Sequence, residues 1–116
     1  MILNEIKDKL LEIDPNVYYG KVDDAIRESR WDYIVFDRRR IRPNDNRTSV
    51  CCYYSVHIVR ENFVPEGLDK VVIDKMCEIA GMRLSNADLT FNYVAKPNTN
   101  ETVEMLSIEF VKAIKV

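Results

Sequence analysis

The sequence has few of the residues from which compact catalytic sites are built. Its 116 residues include only three glycines, three cysteines and one histidine. Gly20, Gly67 and Gly81 are too far apart to form a glycine-rich phosphate loop. No window of about 18 apolar residues occurs, and Glu5 interrupts the first apolar residues. We therefore expect neither a membrane span nor a signal peptide.

The cysteines do not suggest a disulfide framework or a zinc site. Cys51, Cys52 and Cys77 form an odd set, and reduced thiols are typical of a cytosolic protein. Cys51 and Cys52 are neighbours in a predicted strand and so point to opposite faces. The paired cysteines of a structural zinc site usually sit on a tight turn that directs both sulfurs inward. We expect no metal ion and no cofactor.

The single histidine, His57, is the only candidate for an imidazole base. Cys51 shares its predicted strand face but lies six residues away, about 20 Å at the rise of a strand. A pairing with Cys77 would need an accidental tertiary contact. Since the acidic residues are scattered as well, the sequence predicts a protein that is not an enzyme.

The overall composition is that of one globular domain. Hydrophobic residues make up 47% and charged residues 31% of the chain, and the net charge is -2. A chain of this length can bury about two-thirds of its unfolded surface in one core. We expect a single domain over residues 1–116.

Two helices are predicted from apolar residues at helical spacing. The first covers residues 2–13 and ends at Asp14-Pro15. The second covers residues 68–80, and Gly81 stands where a left-handed C-cap is expected. A weaker pattern over residues 22–29 suggests one more helical turn.

Strands are predicted from alternating, β-branched and aromatic residues. They cover Val17–Tyr19, Trp31 to about Arg38, Val50–Arg60, Leu89–Ala95 and Thr102–Ile114. In the third strand the even positions are apolar and should face the core, whereas the odd face is semi-polar and should face solvent or a neighbouring subunit. The expected fold is α+β, a mostly antiparallel sheet of four to five strands flanked by two main helices.

Charge is concentrated in one segment. Residues 38–47 contain five arginines and one acid, a local charge of +4 that leaves -6 for the rest. We predict that this segment is a long hairpin loop, and that its arginines contact a partner or another subunit: Arg38, Arg39, Arg40, Arg42 and Arg47. A guanidinium fork binds carboxylates and phosphates equally well, so an acidic protein surface, nucleic acid and plain solvent all remain open.

Several strings along nearly the whole chain resemble the small tail-completion proteins of tailed bacteriophages and prophages, and most closely the tail terminators. The strings are Val17-Tyr18-Tyr19-Gly20, Trp31-Asp32-Tyr33-Ile34-Val35-Phe36, Ile58-Val59-Arg60-Glu61-Asn62, Val64-Pro65-Glu66-Gly67, and Val103-Glu104-Met105 with Ile108-Glu109-Phe110. The resemblance covers pattern and element order, and the arginine run matches no motif of the family.

The resemblance implies a structural virion protein without catalytic residues. Its subunits would form a ring, typically a hexamer and in some cases only on the tail tube, that caps the major tail tube protein and meets the head–tail connector protein. The expected locations are the host bacterial cytoplasm during assembly and then the tail or neck of the virion. No membrane partner is expected, and nucleic acid would only pass through the ring. The alternatives are a head-completion or head–tail connector protein and, in a different class, a small nucleic-acid-binding module that uses the arginine segment.

Overall fold

The computed structural model describes residues 2–21, 31–45, 47–96 and 100–115. Along these residues the elements are α1 (Ile2–Leu11), β1 (Val17–Tyr19), β2 (Tyr33–Pro43), β3 (Ser49–Glu61), α2 (Leu68–Met76), β4 (Met82–Leu84), β5 (Thr90–Ala95) and β6 (Thr102–Lys115). The predicted α+β class is confirmed, with six strands in place of four to five. The helical turn predicted at 22–29 lies outside the described residues.

The strands form one open, mostly antiparallel sheet. Its order is β1-β2-β3-β6-β4, and β5 also pairs with β6. β4 and β5 share the outer edge of β6, since β5 lies beside residues 102–107 and β4 beside residues 110–112. At the opposite edge β1 runs parallel to β2 and covers only residues 34–36. The edge of β2 from Arg38 to Pro43 is therefore not paired by a described strand.

Both helices pack on the same face of the sheet. Ile6 and Leu10 of α1 and Val72 and Met76 of α2 join one buried cluster with side chains from the sheet. The even positions of β3 belong to this cluster, as the alternation predicts. So do the fully buried β6 residues Leu106, Ile108 and Phe110.

The second helix is shorter than predicted. It ends at Met76, and the Cys77 N–H still bonds to the Ile73 carbonyl before the chain turns. The predicted C-cap, Gly81, has the expected left-handed φ of 81° but lies one further turn along the chain. It precedes β4, which is too short to show an alternation in the sequence.

A buried ion pair fixes the end of α1 to the sheet. Arg60 of β3 donates to Asp14 Oδ2 at 2.8 Å, and both side chains are largely buried. The other carboxylate oxygen, Oδ1, accepts from the Asn16 N–H at 2.8 Å. Asp14 thus sets the path of the chain from α1 into β1.

The molecule is elongated because its strands are longer than its helices. The principal extents are 52 × 27 × 24 Å, and the radius of gyration is 15.2 Å where about 13 Å is usual for this length. The 13 residues of β3 reach about 43 Å, whereas the ten residues of α1 reach about 15 Å. The helices therefore cover only part of the sheet.

Candidate interaction surfaces

The arginine run lies on a strand, and the prediction of a long loop over these residues is wrong. Arg38, Arg39, Arg40 and Arg42 are all part of β2, which continues to Pro43. Charged residues are accepted here because this half of β2 is a sheet edge, where long charged side chains reach solvent. Arg47 alone lies in the turn between β2 and β3, with a positive φ of 58°.

A β-bulge places most of these arginines on one face. The pairing with β3 shifts between Arg38 and Arg40, which leaves Arg39 as the extra residue. An extra residue changes the phase of the alternation. Arg39, Arg40 and Arg42 consequently share the face away from the helices, while Arg38 and Ile41 lie on the helix side.

Two of the five arginines have carboxylate partners within the sheet. Arg39 Nε donates to Ser55 Oγ at 2.8 Å and lies 3.3 Å from Asp37 Oδ1. Arg40 makes two hydrogen bonds to Glu109, at 3.0 and 3.3 Å, and its guanidinium lies 3.9 Å from the ring centre of Tyr53. The hydrogen bonds to Glu109 raise the pKa of Arg40. These contacts tie β2 to β3 and β6.

The remaining three arginines are exposed. Arg38 Nε donates to the Tyr19 hydroxyl at 3.0 Å, which is a neutral partner. Within the described residues, no carboxylate forms an ion pair with Arg38, Arg42 or Arg47. The structure thus divides the five predicted contact residues into two with a carboxylate partner in the sheet and three exposed residues without one in the described part of the chain. Whether any of them contacts a partner stays a prediction.

A polar network that the sequence analysis missed surrounds His57. Its Nδ1 lies 2.7 Å from Ser107 Oγ, and its Nε2 lies 3.1 Å from Asp37 Oδ2. Arg39 Nη2 also lies 3.1 Å from Nε2, so this nitrogen sits between a carboxylate and a guanidinium, and its hydrogen-bonding role depends on the tautomer. Burial lowers the pKa of His57, an effect that Asp37 opposes and Arg39 reinforces. Finding this network requires the strand register, which no residue spacing reveals.

The order Asp37, His57 and Ser107 resembles a serine-hydrolase triad, but its setting does not suit acyl transfer. Such chemistry needs backbone N–H groups that are free to bind an oxyanion near the serine. Ser107 lies within β6, which pairs with β3 along one edge and β5 along the other. The network is better suited to holding β2, β3 and β6 together.

The face away from the helices is not uniformly semi-polar. Beside the His57 network lies a second apolar cluster of buried residues: Trp31, Tyr33, Val35, Val59 and Val103. Tyr18 packs edge-on against Tyr33, with ring centres 6.0 Å apart. The side chains of one half of this face are therefore buried against each other, and the half with the arginines is exposed.

An apolar groove lies beside the unpaired part of β2. It has a volume of about 410 Å³ and is lined by the start of α1, by Arg38 and by Ile41 and Tyr54. Ile41 is 67% exposed. The groove therefore combines apolar side chains with the guanidinium group of Arg38.

The strand β5 is exposed along its whole length, which the alternation in the sequence did not predict. Phe91 and Tyr93 lie opposite Leu106 and Glu104, on the helix side, yet no described element covers them. Phe91 is 52% exposed and Tyr93 63% exposed. A hydrogen bond to Glu104 raises the pKa of Tyr93. No described strand pairs with the outer edge of this uncharged strand.

The cysteines behave as the strand pattern predicts. Cys52 is buried in the main core, while Cys51 lies on the other face and donates to Asn44 Oδ1 at 3.3 Å. Cys77 is exposed at the end of α2. Across residues 2–21, 31–45, 47–96 and 100–115, no three histidine, cysteine or acidic residues cluster as metal ligands.

No helix in the described part of the chain is both long and apolar enough to cross a bilayer.

No protein-family model matches this sequence, and no curated protein matches it significantly. The resemblance to phage tail-completion proteins therefore stays a prediction from the strings quoted above.

Proposed function

We propose that this protein is a structural assembly subunit of a phage or prophage particle, and specifically a tail terminator. In this role it binds the end of the finished tail tube, stops further polymerisation and presents a surface for head joining. The structural observation in favour is the outward charge of Arg38, Arg42 and Arg47 at one end of an elongated, open sheet. The choice of a tail protein comes from the sequence resemblance.

The chemistry of this basic end favours an acidic protein surface. The guanidinium groups of Arg38, Arg42 and Arg47 are exposed, and such groups form charge-assisted contacts with carboxylates. The neighbouring groove and the exposed side chain of Ile41 add apolar area that a protein partner can bury. Such a mixture of charged and apolar contacts is typical of protein interfaces.

A binding assay with purified tail tubes tests the proposal. Arg38→Glu/Arg42→Glu should abolish co-sedimentation with tubes, because it reverses the charge of the proposed contact. The matched control is Lys7→Glu/Lys70→Glu, which makes the same change in net charge at exposed positions on α1 and α2. Equal binding of both double variants would reject the basic end as the tube contact.

A second candidate function, nucleic-acid binding, is favoured by the same three guanidinium groups. Phosphate contacts release counterions, so the affinity for DNA would fall steeply as salt increases. A salt-dependent mobility shift that is lost in Arg38→Glu/Arg42→Glu, without any binding to tubes, would select this candidate. Tail length in particles assembled without this protein distinguishes a terminator from a head–tail connector. Tails of uncontrolled length would indicate a terminator, and tails of normal length that fail to join heads would indicate a connector.

A further inference from the structure

The two edges formed by β2 and β5, which no further described strand pairs with, differ in chemistry. The unpaired edge of β2 carries arginines, a bulge and Pro43, three features that discourage strand addition. The edge of β5 has the sequence Thr-Phe-Asn-Tyr-Val-Ala, with no charge, no proline and no bulge in its pairing with β6. Uncharged aromatic edges of this kind are strong sites for pairing with another strand.

An aromatic surface lies beside this edge. The Val64 N–H donates to Glu104 Oε1 at 2.8 Å, and the Tyr93 hydroxyl bonds to the same carboxylate. Phe63, which precedes Val64, is 65% exposed. Phe63, Phe91 and Tyr93 are each more than half exposed, and aromatic side chains are enriched at protein interfaces.

We propose that the β5 edge binds the β5 edge of a second copy of this chain. A two-fold axis perpendicular to the sheet makes the two strands antiparallel and keeps the helices of both copies on one side. Phe91 and Tyr93 lie on one face of the strand and Asn92 on the other. With the axis at Asn92, each Phe91 faces the Tyr93 of the other copy, and Asn92 faces its own equivalent. The strand is therefore nearly self-complementary, as an isologous interface requires.

The composition of β5 favours a second copy of the chain as the binding partner of this edge. Aromatic residues directly opposite each other stabilise an antiparallel pair, and like charges in that position destabilise it. Two copies of β5 bring together two aromatic pairs and no charged pair. Two copies of the β2 edge would instead place arginines close to arginines.

The positions of the two edges along the strand direction argue against a head-to-tail pairing of β5 with β2. β5 lies beside β6 residues 102–107, whereas Arg38–Pro43 is level, through β3, with β6 residues 110–114. Joining these two edges would shift neighbouring copies by roughly 25 Å along the strands. The two-fold arrangement needs no such shift.

This inference goes beyond the proposed function. It concerns the free protein and does not depend on a tail tube, since the basic end of the sheet is not used. The dimer also covers the edge that is most prone to aggregation while the subunit is in solution.

Analytical ultracentrifugation from about 10 µM to about 1 mM tests the dimer. We expect wild type to show a concentration-dependent dimer. Asn92→Lys and Asn92→Asp should each weaken the dimer about tenfold or more, because each puts two like charges opposite one another at the axis. An equimolar mixture of the two variants should form a heterodimer. Asn86→Lys, at an exposed loop position, is the matched control and should dimerise like wild type.

Other outcomes overturn the proposal. A wild type that stays monomeric at about 1 mM would reject self-pairing through β5. Unimpaired dimers of both Asn92 variants would place the interface elsewhere. If Asn92→Asp alone strengthened assembly and Arg42→Glu abolished it, the contact would be head-to-tail between β5 and β2. Circular dichroism of each variant shows whether a lost dimer reflects lost strand pairing or lost folding. Binding to tail tubes by a variant that cannot dimerise would show that the dimer and the proposed function are independent.

Discussion

Replacing Asp14 with alanine tests the buried ion pair that joins the end of α1 to the sheet. Asp14 is 6% exposed, and its partner Arg60 approaches to 2.8 Å. Removing one member of a buried pair leaves the other charge uncompensated, which typically costs about 3–5 kcal/mol. Arg60 keeps hydrogen bonds to the carbonyls of Val59 and Tyr33, so we expect the lower half of that range, about 3–4 kcal/mol.

The assay is urea unfolding followed by circular dichroism, with the slope of the transition checked for constancy. Arg60→Met in the Asp14→Ala background removes both charges and should recover part of the lost stability. Glu78→Ala, which breaks the exposed pair with Lys9, is the control and should leave the transition nearly unchanged. A loss below about 1 kcal/mol for Asp14→Ala would refute the reasoning, because a pair with so little effect cannot be desolvated.

Three further predictions concern the core, the His57 network and the basic end. Phe110→Ala should destabilise the fold by about 3–5 kcal/mol, and Ile114→Ala by far less, because Phe110 is fully buried and Ile114 is not. Unfolding free energies of the two variants check this. Since burial lowers the pKa of His57, the unfolded chain binds the proton more tightly, and stability should fall as pH decreases below about 6.5, by at most about 1.4 kcal/mol per pH unit from this group. A His57→Gln variant should show a flatter stability profile between about pH 5 and 6.5, and an unchanged profile would contradict this. Arg42→Glu should change the unfolding free energy by less than about 0.5 kcal/mol, because the side chain is exposed, and a larger loss in urea unfolding would show that Arg42 has a structural role.

Long periodic segments could be predicted from the sequence because burial on one face leaves a regular pattern. The first helix and the strands around Val56 and Ile108 are of this kind, and their core-facing positions are as predicted. The strand β4 could not be found, since its three residues are too few for an alternation. The sequence predicts an end of α2 beyond Met76, because the apolar spacing continues through Ile79 into the following turn.

The site depends on features that the sequence does not display. Arginines are uncommon in buried strands, so a run of them suggests a loop, and only the pairing shows that this part of β2 is an edge. The bulge at Arg39 decides which arginines share a face. The meeting of His57 with Ser107 and Asp37 depends on the register of three strands, which is set by the whole sheet.

The exposure of β5 could not be predicted from the sequence either. Its alternation of Phe91 and Tyr93 with polar residues is typical of a half-buried strand. No described element covers its apolar face. A sequence pattern shows which side chains gain from being covered, and it does not show whether the covering surface belongs to the same chain.

Electron microscopy of particles from a host in which this gene is deleted tests the proposed function most directly. The account predicts full heads beside tails of abnormal, uncontrolled length, and restoration of normal tails by wild type and by Lys7→Glu/Lys70→Glu but not by Arg38→Glu/Arg42→Glu. Tails of normal length that fail to join heads would move the assignment to a head–tail connector. Intact, infectious particles with normal tails in the deletion would contradict the account.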